Sequence, residues 1–214
     1  MNSIVVPDLH GCPHFLDWVL LKYPGRHLIL LGDLINRGPD ARLVMRTALN
    51  LARERRATLL WGNHEDWAWA ATARLKFPAQ ERWFKSKGRE LHQAYDGDLK
   101  ACMADLTQFA LFAHSYVVEG DMLCAHAARP NLGRDPQDVL DKRCLRDRPN
   151  KRLLPLPAQF FPNLRYSVHG HTVMPEPLVD LGGKGVVYLD LGSAKTGKFC
   201  VWDSVKREVA SYGE

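Results

Sequence analysis

The chain has 214 residues, 46% of them hydrophobic and 25% charged, with a formal net charge of +5. Those proportions are ordinary for a globular protein, and the length suits one domain, residues 1–214, able to bury a substantial core. The basic residues are scattered rather than striped, which argues against a nucleic-acid surface, and no apolar run approaches the roughly 20 residues a membrane span needs.

Five widely spaced cysteines without a CxxC pair argue against a disulfide framework and for a reducing compartment. The N-terminus has neither a basic region nor a long apolar stretch, so no signal peptide is expected and the cytoplasm is the expected location. A mild positive excess favours anionic partners, phosphorylated ones included.

A first strand is expected at residues 3–6, and Pro13 begins a helix with Phe15, Leu16, Val19 and Leu20 at helical spacing. A second strand at 27–31 runs into Gly32-Asp33. Pro39-Asp40 opens a helix expected to turn Leu43, Val44, Ala48 and Leu51 inward, and a third strand covers 58–61. This alternation implies parallel strands joined by right-handed crossovers. The pattern then becomes helical, giving an insert over about 66–112 that includes Trp67, Trp69 and Trp83. A hairpin is expected at 115–118 and 122–125 around Gly120. Residues 128–163, rich in Pro and Arg, suggest an active-site loop with short helices. Strands near 178–181, 186–191, 198–202 and 207–211 fit a second sheet.

The expected strand ends carry metal-ligand clusters: Asp8-x-His10-Gly11, Gly32-Asp33, Gly62-Asn63-His64-Glu65, His126 and His169-Gly170-His171. Ligands at the ends of successive strands can converge on one sheet edge. Carboxylate and amide oxygens mixed with imidazoles suit Mn, Fe, Zn or Co. Five clusters are too many for one ion, so a pair of ions sharing a carboxylate is the economical reading.

In order and spacing, Asp8-x-His10-Gly11, Gly32-Asp33-x-x-x-Arg37-Gly38, Gly62-Asn63-His64-Glu65, His126 and Gly170-His171-Thr172 resemble the calcineurin-like metallophosphoesterases. Within them the chain most resembles the phosphoprotein phosphatase branch, especially the small phage and bacterial Ser/Thr protein phosphatases. The branch also includes diadenosine tetraphosphate hydrolases. The resemblance covers residues 3 to about 203. It implies an α/β fold of two packed mixed β-sheets flanked by helices. It also implies two divalent ions, manganese first, with iron, zinc or cobalt as alternatives. Asp8 and His10 would bind one ion, Asn63, His126 and His171 the other, and Asp33 both. His64 would be the general acid. Arg37 would hold the phosphate with Arg143 as a second clamp, Arg129 and Arg146 being its rivals.

Three positions depart from the family pattern. Asn36 stands where an aspartate usually contacts the catalytic histidine, and is expected to orient His64 without lending it charge. Trp61 replaces a common arginine, and either packs under the motif or offers a face to a nucleobase. Pro7 replaces a glycine at the loop entrance. His169 is expected to be buried beside the metals without binding one. The function expected from the resemblance is a metal-dependent phosphomonoesterase of the Ser/Thr protein phosphatase type. Its partner would be a phosphorylated protein or small phosphoester, with no nucleic acid and no membrane. The alternatives are a dinucleoside polyphosphate or other nucleotide phosphohydrolase, and a degenerate metal-bound interaction module.

Overall fold

Strand β1 (Ser3–Val6) is buried along its whole length, as a strand covered on both faces must be. Ile4 and Val6 point to the helices while Val5 points to the other sheet, the period-two alternation of a strand. The structure is a computed structural model that describes residues 2–74, 77–148 and 153–213; the expectations for 75–76 and 149–152 lie outside the described residues.

Pro13 starts α1 (Pro13–Lys22), which buries Phe15, Leu16 and Val19. Then come β2 (His27–Leu30), α2 (Ala41–Arg53) and β3 (Ala57–Leu60), with β1, β2 and β3 paired in parallel. Asp40 caps α2 by accepting the Leu43 N–H at 2.8 Å. Leu43 does not face inward, being 48% exposed, and Met45 is buried instead. The inner stripe runs through Ala41, Val44, Met45 and Ala48, at three- and four-residue steps that exclude position 43.

Helices α3 (Asn63–Arg74), α4 (Phe77–Lys85), α5 (Arg89–Ala94) and α6 (Leu99–Phe112) follow. Their Phe84, Leu91, Leu106 and Phe109, with Tyr95 just after α5, join the core formed by α1 and α2. Next are β4 (Ala113–His114), β5 (Tyr116–Glu119), β6 (Met122–Ala125), α7 (Gln137–Arg146) and β7 (Tyr166–His169). The chain finishes with β8 (Leu178–Asp180), β9 (Val186–Tyr188), α8 (Ser193–Thr196), β10 (Cys200–Asp203) and β11 (Glu208–Ser211).

Two mixed sheets result, ordered β11-β10-β1-β2-β3-β4 and β5-β6-β7-β9-β8. Val5, Ile29, Leu31 and Leu60 pack across the interface on Cys124, Val168, Val187 and Leu189. The C-terminal strands were expected together in a second sheet, but only β8 and β9 are there. β10 and β11 return to the first sheet, β10 antiparallel to β1. Arg26 helps to pin that return by bonding Asp203 at 2.8 and 3.2 Å and the Asn2 carbonyl at 2.9 Å. No described helix is long and apolar enough to cross a membrane. The loops after β1, β2, β3, β6 and β7 all leave the C-terminal edge of parallel strands, which brings their clusters together.

Candidate metal and catalytic centre

Asp33 stands at the middle of the cluster. Its Oδ2 is 3.7 Å from His10 Nε2 and 3.8 Å from His64 Nε2, and its Oδ1 is 3.5 Å from His126 Nε2. It therefore belongs to two groups able to hold a metal ion, His10–Asp33–His64 and Asp33–His126–His171. Asp8 Oδ2 lies 4.0 Å from His10 Nε2, and the Asp8 carboxylate accepts the His171 N–H at 3.0 and 3.2 Å. Asn63 Oδ1 is 3.1 Å from His126 Nε2. Asp8, His10, Asp33, Asn63 and His126 are all buried.

The backbone around these side chains is strained and tightly tied. His10, Asp33, Asn36, Arg37 and His171 account for five of the eight described non-glycine residues with positive φ. Sparsely populated backbone of this kind clusters at functional sites. The fully buried Glu65 carboxylate accepts the N–H groups of Asp33, Leu34 and Ile35 at 2.8, 2.9 and 3.2 Å, holding the turn that presents Asp33. Gly170 is required by proximity, because a methyl group there would overlap the Asp8 carboxylate.

The protonation pattern points to cations. His10 Nδ1 is 3.0 Å from the Ile35 carbonyl and His126 Nδ1 is 2.9 Å from the Leu31 carbonyl, so each Nδ1 carries the proton. Each Nε2 then offers a lone pair towards oxygen: Asp33 for His10, and both Asn63 Oδ1 and Asp33 for His126. A cation between these atoms would take up the lone pairs that face one another, and a backbone carbonyl behind each ring is the usual support of a metal-binding imidazole. Burial, and then the neighbouring Asp190 and Asp33, push the Asp8 carboxyl well up; burial followed by Glu65 does the same to Asp33. Burial also presses His10 and His171 down to about 4. The donor set fits a pair of divalent ions.

His64 is held differently. The Asn36 side-chain amide is 2.9 Å from its Nδ1, and an Arg37 guanidinium nitrogen is 3.3 Å from its Nε2. Arginine only donates, so Nε2 accepts and the neutral ring carries its proton on Nδ1. That proton needs an acceptor. With the amide turned so that its oxygen faces His64, Asn36 Oδ1, otherwise buried without a partner, supplies one. A ring flanked by a guanidinium is a poor metal ligand. Burial, followed by His10, Arg37 and His171, depresses its pKa to about 3.

Residues 1–175 match the family model of the calcineurin-like phosphoesterases. The chain belongs to that family. Over 69 residues, 30% of the chain, it is 36% identical to the symmetrical bis(5'-nucleosyl)-tetraphosphatase of Nitrosomonas europaea; the match spans 25% of that relative's length. Among solved structures, a provisionally named diadenosine tetraphosphatase superposes with a TM-score of 0.66 at 19% identity, covering 99% of this chain and 92% of that one. A protein serine/threonine phosphatase of Saccharomyces cerevisiae superposes with a TM-score of 0.66 at 15% identity, covering 100% and 80%. At these identities the structural likeness is one of fold.

Of the phosphoesterase's arginines, Arg37 alone among those singled out from the sequence contacts His64. The Arg143 guanidinium, expected as a second clamp, is paired with Asp135 and Asp147, each at 3.0 Å. Arg129 is 3% exposed and spends its donors on Ser167 Oγ and the carbonyls of Leu154, Lys184 and Gly185. Arg146 pairs with Asp66 and lies 5.7 Å over the Trp67 ring, beside the cleft. Sequence reasoning missed Arg148, whose charge acts on both His171 and Asp190. It also missed Asp190, 2% exposed and close enough to Asp8 to raise its pKa. The signal was there in a carboxylate followed by Leu191-Gly192 where a strand should end. His169 is fully buried, its Nδ1 2.8 Å from the Ala125 carbonyl and its Nε2 2.9 Å from Ser167 Oγ, so neither nitrogen is left for a metal.

Beside His64 the phosphoesterase has a cavity of about 730 Å³, lined by Asn36, Arg37, His64, Trp67, Ala70, Ala71, Trp83, Lys87 and Glu90. Trp67 is 48% exposed, its ring 5.3 Å from that of His64. Trp61 does not reach this cavity's lining and instead packs edge-on against Phe109 at 5.2 Å.

Proposed function

We propose that the chain is a two-metal phosphohydrolase whose substrate is a nucleoside polyphosphate or another nucleotide. Asp8, His10 and Asp33 hold one ion; Asp33, Asn63, His126 and His171 hold the other. The place of Asp33 in both groups of clustered side chains, between His10 and His126, carries this reading. Bound there, two divalent ions, manganese being the first to try, supply an acidified water and relief of phosphate charge. Arg37 leaves His64 to grip phosphate oxygens with its planar fork. Water adds to phosphorus as the P–O bond to the leaving group breaks. The anionic phosphate beside His64 favours the charged ring, and its Nε2–H gives its proton to the departing oxygen while Asn36 keeps the ring aimed.

The substrate class rests on the cleft. Trp67 and Trp83 with Ala70 and Ala71 form an apolar, aromatic wall next to the acid, and Lys87 adds a cation for a further phosphate. A flat base finds a stacking surface there. The named function of the Nitrosomonas relative supports the same class. Behind the phosphoprotein reading stands likeness of fold, which does not choose a substrate. Manganese-loaded protein is expected to hydrolyse an aryl phosphate, and then to prefer diadenosine tetraphosphate over phosphopeptides in kcat/KM. A preference for phosphopeptides would return the chain to the protein phosphatases. No metal-dependent turnover of any of them would leave it a binding module.

A further inference from the structure

Asn36 and Arg37 are consecutive non-glycine residues with φ of 68° and 69°. Such a pair persists only where surrounding groups over-determine it. Between them their side chains occupy both ring nitrogens of His64. This one turn therefore aims both groups that attend the acid. On its inner side the Gly38 N–H bonds the carbonyls of His10 and Asn36 at 2.7 and 2.9 Å. On its outer side the Arg37 N–H donates to Glu90 Oε2 at 2.8 Å, 53 residues further along the chain.

Glu90 is exposed, yet it is not loosely placed. It stands on α5, anchored by its Leu91 and by Tyr95 at its C-terminal end, each 1% exposed within the first core. An anchored helix thus delivers a carboxylate to a turn whose backbone N–H points outward, and a charged acceptor makes that bond a strong one. The same side chain lines the cavity next to His64.

We propose that Glu90 is a positioning residue: by holding the Arg37 N–H it fixes the left-handed Asn36–Arg37 turn and so sets both side chains on His64. The inference rests on reading His64 as the acid and Arg37 as the phosphate ligand. Without the carboxylate the turn relaxes towards right-handed backbone, and both side chains withdraw. A glutamine keeps an acceptor oxygen at the same reach; an alanine does not.

The test compares Glu90→Ala and Glu90→Gln in the metal-loaded protein. Glu90→Ala is expected to lower kcat for an alkyl phosphate about tenfold. An aryl phosphate, which needs less protonation, should lose less in kcat, and KM should rise for both as Arg37 loses its place. Glu90→Gln should stay near wild type. A merely structural loss would cut both substrates equally and leave KM alone. In the zinc-loaded, ¹⁵N-histidine-labelled protein, the His64 ring signals, assigned with His64→Asn, should shift in Glu90→Ala and not in Glu90→Gln. Unmoved His64 signals in Glu90→Ala, or a Glu90→Gln variant as impaired as Glu90→Ala, overturn the proposal. Absent turnover in the metal-loaded wild type would instead overturn the functional reading, while the ring signals still decide this one.

Discussion

At the sheet edge, Asp8, Asp33, Asn63 and His126 are buried, Asp33 stands with His10 and His171 on left-handed backbone, and the packing is so close that a methyl group does not fit at Gly170. Across the cleft, Trp67, Lys87 and Glu90 stand on helices α3 to α5 or the loop between them; Lys87 and Glu90 are exposed and Trp67 is 48% so. The first region is over-determined: carbonyls back the His10 and His126 rings, and the Glu65 carboxylate holds the turn that presents Asp33. The second rests on a buried inner face and leaves the outer side chains of Trp67 and Lys87 free to vary, while Glu90 is tied to the Arg37 N–H. Changes at the edge should therefore abolish chemistry, whereas changes on the wall should alter which substrate is taken.

The largest effect is expected at Asp33, the carboxylate common to both metal groups. Asp33→Asn should reduce turnover to background and the bound metal, read by elemental analysis, to one ion or none. Two ions and normal turnover in that variant would break the contrast at its centre. Metal removal offers a second reading of the same site. Because burial raises the folded-state pKa of Asp8 and Asp33, the metal-free chain loses stability as pH rises through those values. Divalent ions neutralise both carboxylates, and protons compete with the ions for the histidines at low pH. The gap in Tm between manganese-loaded and chelator-treated protein should thus widen as pH rises. A gap that narrows would mean that the ion does not sit on these carboxylates.

Next comes His64. His64→Asn should slow hydrolysis of alkyl phosphates by roughly 10²–10⁴, the usual contribution of a positioned acid, with metal content unchanged. Aryl phosphates should lose less. Equal losses on both would show that His64 supplies something other than the proton.

The same contrast explains what the sequence revealed. Each edge cluster is a local word, a few residues at the end of a strand, and hydrophobic runs such as Ser3–Val6 announce the strand before it. What escaped reading depends on contacts remote in sequence. β10 and β11 carry ordinary strand patterns, and only pairing with β1, 197 or more residues away, decides their sheet. Three arginines within 143–148 are equivalent by composition; Asp135 and Asp147 claim Arg143, Asp66 claims Arg146, and Arg148 lies near His171 and Asp190. Leu43 is strongly apolar but lies off the stripe of Ala41, Val44, Met45 and Ala48, so its hydropathy points inward while its angle on the helix points out.

On the wall, Trp67→Ala is expected to raise KM for a dinucleoside polyphosphate roughly 5- to 150-fold, the loss of about 1–3 kcal/mol of base stacking. A small alkyl phosphate should be unaffected, since it does not span the cleft. Equal KM changes for both would place Trp67 among the groups that support the edge, through its 5.3 Å contact with His64, rather than among those that choose the substrate.

The smallest expected effect lies where the two regions meet, at Asn36. Its amide is 2.9 Å from His64 Nδ1, so it orients the ring but lends no charge. Burial and the cationic Arg37 both hold the His64 pKa down, to about 3. Asn36→Asp would place a negative charge on Nδ1 and favour the imidazolium, raising that pKa. The acid is active when protonated, so a higher pKa moves the alkaline limb of the pH–rate profile for alkyl phosphates upward. Aryl phosphates, with better leaving groups, should barely respond. A carboxylate keeps the acceptor oxygen that the Nδ1 proton needs, so the ring should stay where it is and metal content should not change. An unmoved alkaline limb, with two ions still bound, would show that the contact aims His64 without tuning it.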